Sequence, residues 1–503
     1  MPRRIRTLLV ANRSEIAIRV FRAATELGMR TVAIYSLEDR FALHRFKADE
    51  AYQVGGGSEP VRAYLDIDEV LRVAREAGAD AVHPGYGFLA ENPDLADACA
   101  RDGLYWIGPP GDVMRMLGNK VSARELAERA GVPVMPATGA LPHDEAAVER
   151  LGAEVGFPLM VKASWGGGGR GMRVVRTPQE LAAAVEAGRS EARAAFGNDE
   201  VFLERLVERA WHIEVQILAD RHGNVVHLFE RDCTVQRRHQ KVVELAPSPR
   251  MEPGARDQIT AAAVRLMREA GYQGAGTVEF LVDADTGAAH FIEVNPRVQV
   301  EHTVTEMVTG IDIVKAQIRI AQGARIGEAG GGVPAQDAIR INGSAMQCRI
   351  TTEDPENHFI PDYGRITAYR EATGFGIRLD GGTAYSSAVI TPFYDSLLEK
   401  VTAWAPTHEE STARMERALR EFRIRGVKTN LPFLEALIGH PDFRSGEYTT
   451  TFIDQTPELF QFRPRRDRAS RLLSFIGDVI VNGNPDVAGR PAPHTRQAAA
   501  PRP

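Results

Sequence analysis

Cysteine is scarce in this 503-residue chain, which holds only Cys99, Cys233 and Cys348. Three widely separated thiols cannot form a disulfide framework, and no pair has the C-x2-C spacing of a zinc site, so a cytoplasmic, reducing setting is expected. Long apolar runs are missing too. No stretch of about 18 apolar residues could cross a membrane. The opening "MPRRIRTLLVANRSE" offers only about four apolar residues in a row, too few for a signal-peptide core. Nor is there a basic excess: 61 Lys and Arg against 67 Asp and Glu leave a formal net charge of −6. That balance argues against a polyphosphate backbone as the main partner, so neither nucleic acid nor membrane is expected and small anions remain. Internal repeats are absent as well.

What the chain does have is glycine in one place. "KASWGGGGRGMRVV" (162–175) sets Gly166, Gly167, Gly168, Gly169 and Gly171 between Lys162 and Arg173. Glycine loses more freedom on folding than any other residue, so such a run points to a ligand approaching the backbone. The flanking "PLMVKAS" and "GMRVV" both read as strands, which excludes a P-loop, because that loop must open a helix. A hairpin flap is expected instead, with backbone N–H groups closing over phosphate beside Lys162, Arg170 and Arg173.

The composition, 44% hydrophobic and 25% charged, suits a globular protein with room for about three or four domains. "TLLVA" (7–11), an amphipathic segment through Ile16, Val20, Ala23 and Leu27, and "TVAIYS" (31–36) read as a βαβ unit. Its turn, "NRSE", lacks the G-x-G-x-x-G pattern, so the unit is expected to be scaffold. The strand "ADAVH" (79–83) runs into "PGYGFLAEN" (84–92), where an α/β sheet exposes its ligand loops. Beyond about 340 strands dominate, then "ESTARMERALREFRIRG" (410–426) reads as helical. A further helix at 465–481 places Ala469, Leu472, Leu473, Ile476 and Ile480 on one stripe. The Pro/Ala-rich residues 486–503 are expected to be disordered.

The chemistry concentrates in "FIEVNPRVQVEH" (291–302). Glu293, Asn295, Arg297, Gln299 and Glu301 alternate with apolar residues, a period that puts all five on one face of a strand. A straight strand would spread them over about 26 Å. Pro296 cannot donate to a ladder, so the strand is expected to end or bulge there and the chain to bend around something small. Upstream, Glu279 lies in "GAGTVEFLVD". With Glu293 and Asn295 it offers the hard oxygen ligands Mg²⁺ accepts, a set completed by substrate phosphates, which implies a nucleotide. "RDCTVQRRHQKVVE" (231–244) adds Gln236, Arg237, Arg238, His239 and Lys241.

In these segments, together with "ANRSEIAIRV", "GNKVSA" and "CRITTEDP", the chain resembles the biotin carboxylase component of biotin-dependent carboxylases, from about residue 5 to 455. "NHFIPDYGRITAYR" and "GFGIRLDGG" are more similar to the pyruvate carboxylase branch than to the acyl-CoA carboxylases. The resemblance implies an α/β and α+β architecture: a βαβ pre-ATP-grasp domain (1–118), an ATP-grasp domain (119–338) with its lid at about 139–205, and a biotin carboxylase C-terminal domain (339–455). A connecting helix (456–485) and the tail (486–503) would follow. Ser14 stands where many relatives carry glycine, which reads as harmless variation.

The resemblance further implies a ligase that carboxylates biotin with ATP and bicarbonate through carboxyphosphate. Lys120, Lys162 and His239 would contact phosphates, under a lid formed by Gly167, Gly168 and Gly169. Glu204, Val207, His212 and Gln236 would surround adenine and ribose, while Glu279, Glu293 and Asn295 would hold Mg²⁺ or Mn²⁺. Lys241, Arg297, Gln299, Val300 and Glu301 would bind bicarbonate, with Glu301 as base. Arg349 would stabilise the biotin enolate and Tyr86 would line the biotin side. No Ala-Met-Lys-Met carrier motif occurs, so biotin is expected to arrive on a carrier outside this sequence. Carrier and carboxyltransferase partners and a homo-oligomer are expected. The alternatives are an acyl-CoA carboxylase subunit and a non-catalytic ATP-binding assembly module.

Overall fold

The computed structural model describes residues 4–57, 59–165, 172–462 and 468–483. Residues Met1–Phe460 form one unit and Gln461–Pro503 a second. The expected tail and the glycines Gly167, Gly168 and Gly169 lie outside the described residues.

The βαβ reading holds. Strands Thr7–Val10 and Arg30–Tyr35 pair in parallel around the helix Ser14–Glu26, within a five-stranded parallel sheet. One face of that sheet buries Val20 and Phe21 with Val314 and Ile318 of the helix Ile313–Ala321. The other face covers Leu9, Val32 and Ile34 with Val70, Val73 and Leu95. The helix Ser14–Glu26 starts under strain, because Ser14 has φ +57. That left-handed region suits glycine, so the serine there is costly and not neutral.

Leu159–Ala163 and Arg173–Val175 pair antiparallel, so the glycine run does connect two strands of one hairpin. Leu203, Leu181 and Val185 complete that small sheet's core.

The largest sheet has eight antiparallel strands. Their spatial order is Ala289–Asn295, Gly274–Asp283, Ala210–Ala219, Val225–Arg237, Gln240–Ala246, Ser344–Thr351, Leu397–Ala405 and Ile377–Gly381. One of its faces packs Val215, Val278 and Phe280 on Ile259, Ala263 and Leu266 of the helix Pro253–Glu269. The sheet continues across residue 338, because Val243 is in register with Cys348.

The helix expected through 426 ends at Glu421, and Arg423–Arg425 pairs instead with Ala368–Arg370. Phe422, 1% exposed, turns inward there and stops the helix. In the second unit, Arg468–Asn482 is helical and exposes Leu472, Leu473, Ile476 and Ile480. Among the described residues no helix is long and apolar enough to cross a membrane.

Candidate active site

The polar strand behaves as its proline dictates. Ala289–Asn295 ends immediately before Pro296, and the chain bends through 296–300 into the helix His302–Thr309. Glu301 is that helix's N-cap residue, yet its carboxylate caps nothing. It turns into the sheet face, where Lys241 Nζ donates to it at 2.8 Å and Arg349 at 3.1 Å.

Lys241 is the hub. Its ammonium also donates to Glu214 at 2.5 Å and to Glu279 at 2.8 Å, so one cation serves three buried carboxylates. Burial alone would favour the neutral amine, but Glu214, Glu279 and Glu301 outweigh it and hold Lys241 protonated, well above its usual range. Burial likewise pushes Glu301 up. Lys241, then Arg349 and Arg231, more than offset that and keep it ionised, below the ordinary carboxylate range. Glu279 is lowered in the same way by Lys241 and His212.

Strand register builds this cluster. Glu279 lies opposite Glu293 on one side and Glu214 on the other. Asn295 Nδ2 donates to Glu279 at 2.9 Å, and Gln299 Nε2 donates to it at 3.0 Å. His212 Nε2 approaches Glu279 at 3.0 Å, while its Nδ1 meets Gln236 at 3.0 Å. Arg297 donates to Asn295 Oδ1 at 3.0 Å and pairs with Glu91. Glu293 faces Lys120 at 3.4 Å. Glu279 and Glu293 stand directly opposite each other, and with Asn295 Oδ1 they are hard oxygen donors of the kind Mg²⁺ takes.

Other expected site residues sit apart from this hub. Lys162 pairs with Glu204 on the small sheet, and Lys120 N donates to Ser164 O at the entrance to the glycine run. His239 occupies the turn between Val225–Arg237 and Gln240–Ala246 with φ +62, close enough to Lys162 for that charge, after burial, to lower its pKa. Val207 lies half-buried between strands. Tyr86 is half-buried, its carbonyl held by Asn12 Nδ2 at 2.8 Å.

Three residues that carry the site were not anticipated. Glu214 was legible, since His212, Glu214 and Gln216 alternate with Ile213, Val215 and Ile217. Arg231 is fully buried, yet its donors reach Glu214, Gln216, Thr277, Thr305 and Gln299 at 2.5–3.1 Å. It takes the Gln299 oxygen at 2.7 Å, which leaves that amide's N–H groups facing the carboxylates. Glu244 holds Arg349 at 2.5 Å. Neither Arg231 nor Glu244 carries a sequence signal beyond lying in a charged run.

Comparison with known proteins gives three family matches in chain order. They are biotin carboxylase, N-terminal domain, at residues 4–114; carbamoyl-phosphate synthase L chain, ATP binding domain, at 119–329; and biotin carboxylase C-terminal domain at 347–455. Pyruvate carboxylase from Bacillus subtilis (strain 168) is 55% identical over 97% of this chain, which spans 42% of that protein. A structure of Rhizobium etli pyruvate carboxylase with the allosteric activator acetyl coenzyme A is 63% identical, with a TM-score of 0.89. The match covers 98% of this chain and 44% of that one. The biotin carboxylase domain of Hydrogenobacter thermophilus 2-oxoglutarate carboxylase, in complex with MgADP and bicarbonate, is 45% identical with a TM-score of 0.87. It is matched over its full length by 92% of this chain. The chain thus spans less than half of the multidomain carboxylases it matches and the whole of a separate biotin carboxylase domain.

Proposed function

Because the chain belongs to the biotin carboxylase family, we propose that it carboxylates biotin with ATP and bicarbonate, as the biotin carboxylase part of a pyruvate carboxylase. The observation that carries the reading is Glu301, a buried carboxylate held between Lys241 and Arg349 beside Gln299 and the Glu279 oxygens. The assignment to pyruvate carboxylase rests on its high identity with those relatives. The site residues and the domain divisions at 118, 338 and 455 are part of the same proposal.

Bicarbonate is a weak nucleophile and must lose its proton as it attacks. Glu301 takes that proton, the new oxygen–phosphorus bond forms at the γ-phosphate, and the bond to ADP breaks with its electron pair on ADP. Lys241 and Arg349 hold Glu301 too tightly for it to be a strong base alone. An anionic substrate sharing those cations dilutes their pull and raises its proton affinity. Arg297, Gln299 and the Val300 backbone orient the bicarbonate, and Lys120, Lys162 and His239 bind phosphates. Glu279, Glu293 and Asn295 would hold Mg²⁺, which when bound offsets phosphate charge. Carboxyphosphate then releases CO2 and phosphate, the phosphate takes the ureido proton of biotin, and Arg349 faces the enolate that attacks CO2.

Biotin arrives on a carrier, and carboxybiotin passes to a carboxyltransferase that converts pyruvate to oxaloacetate. The exposed apolar face of Arg468–Asn482 is a surface for those partners. Bicarbonate-dependent phosphate release from MgATP, with slow carboxylation of free biotin, tests the reading. ATP cleavage indifferent to bicarbonate would overturn it. Recovery of an acyl-CoA carboxyltransferase with the chain from its own cells would replace pyruvate as the acceptor.

A further inference from the structure

Lys400 lies fully buried in the strand Leu397–Ala405, a charged residue between Leu398 and Val401 that are themselves in the core. In the antiparallel ladder it is the direct register partner of Arg349, so the two cations share one sheet face. Arg349 reaches the Glu301 carboxylate, and Lys400 Nζ donates to the preceding carbonyl, that of Val300, at 3.0 Å. Neighbouring cations on adjacent strands thus grip neighbouring residues of the substrate turn. The same ammonium lies 3.1 Å from Glu15 Oε2, in the first turn of the helix Ser14–Glu26, and 5.8 Å from the centre of the Tyr86 ring.

We propose that Lys400 is a positioning residue for both substrates, fixing the Val300–Glu301 peptide against bicarbonate and the Tyr86 ring against biotin. The inference rests on the functional reading above. A peptide group is planar, so anchoring the Val300 carbonyl fixes the direction of the Glu301 N–H and the root of the Glu301 side chain. A lysine serving only to neutralise Glu15 would have no need of that carbonyl. Burying an ammonium is costly unless it is paired and hydrogen-bonded. Glu15, with Asp380 as register partner on the adjoining strand, supplies the pairing and Val300 the hydrogen bond, with the Tyr86 ring face as a weaker electrostatic partner.

The test is steady-state kinetics on the full chain with Lys400→Met and with Lys400→Met/Glu15→Gln. Lys400→Met should raise the KM for bicarbonate and for free biotin about tenfold or more, the scale of losing a hydrogen bond from a charged donor, with the KM for ATP within about twofold. Burial already pushes the Glu15 carboxyl up to about 7 with Lys400 beside it, so the single variant leaves a buried acid without its cation and should melt at lower temperature, the more so as pH rises. The double variant replaces that acid with a neutral amide and should regain melting temperature, most clearly above about pH 7, yet keep the raised KM for bicarbonate, because Val300 still lacks its donor. An unchanged KM for bicarbonate in either variant, or a double variant that recovers it together with the melting temperature, would overturn the proposal. A wild-type chain whose ATP cleavage ignores bicarbonate would instead overturn the functional reading, and this inference with it.

Discussion

Changing Glu301 to Gln separates chemistry from stability at the centre of the site. In the variant, Lys241 keeps Glu214 at 2.5 Å and Glu279 at 2.8 Å, and Arg349 keeps Glu244 at 2.5 Å. Neither cation is orphaned, so the loss of folding free energy should be about 1–3 kcal/mol, that of weakening two charge-assisted hydrogen bonds. Leaving a buried charge without a partner would cost about 3–5 kcal/mol. The chemical loss should be larger in effect, because Gln cannot accept the bicarbonate proton. Bicarbonate-dependent ATP cleavage and biotin carboxylation should fall together by on the order of 10²–10⁴. The acid limb gives an independent check. Burial works against ionisation of Glu301, but Lys241 and Arg349 hold its folded pKa below the ordinary 4.5. Its contribution to stability is therefore present above 4.5 and lost as pH falls through the folded value, so wild type and variant should converge in acid. Phosphate release, labelled-bicarbonate incorporation and urea melts at several pH values measure all three. Normal ATP cleavage in the variant would refute Glu301 as the base, and a stability gap that persisted in strong acid would refute the electrostatic argument.

Three further outcomes are expected. Arg349→Ala should cut biotin carboxylation by roughly 10²–10³ while sparing much of the slow ATP cleavage seen without biotin; equal loss of both, in phosphate-release and carboxylation assays, would exclude it as the enolate stabiliser. Ser14→Gly should raise stability by about 1 kcal/mol in urea melts, because φ +57 strains serine and suits glycine. Burial pushes Glu399 up to about 8 despite the Tyr369 hydroxyl donating to it at 2.6 Å, so the folded chain holds a proton that the unfolded chain releases above 4.5. Wild-type stability should decline across that interval, and Glu399→Gln should flatten the decline and melt higher at pH 8, as calorimetry would show.

Much of the site was legible because chemistry and periodicity coincided. The alternation in 291–302, the proline that ends its strand and the glycine run between two strands all follow from backbone rules that act locally. What stayed hidden depends on pairing between distant strands. Lys400 in "SLLEKVTAWA" reads as one charge in an apolar strand until register sets it beside Arg349. Arg231 and Glu244 read as members of a charged run until burial and distance show what they hold. Glu214 is different, since "WHIEVQ" carries the same polar–apolar alternation as residues 291–302. The helix at 408–421 was overextended because Phe422 fits a helical stripe as well as it fits the core it actually enters.

The ladder between Gln240–Ala246 and Ser344–Thr351 bears on how this enzyme could be recombined with its relatives. Glu244 and Gln347 are register partners, so the gap between the carboxylate strand and the strand carrying Arg349 is the inter-strand spacing of about 4.8 Å, set by main-chain hydrogen bonds. A chimera that imports everything after residue 338 therefore inherits three of the sheet's eight strands and not a detachable module. Side-chain mismatches on its outer surface should be tolerated. A slip of one residue at the seam would not be, because it would turn Arg349 and Lys400 to the opposite face together and empty the site of both cations while leaving the fold's outline intact.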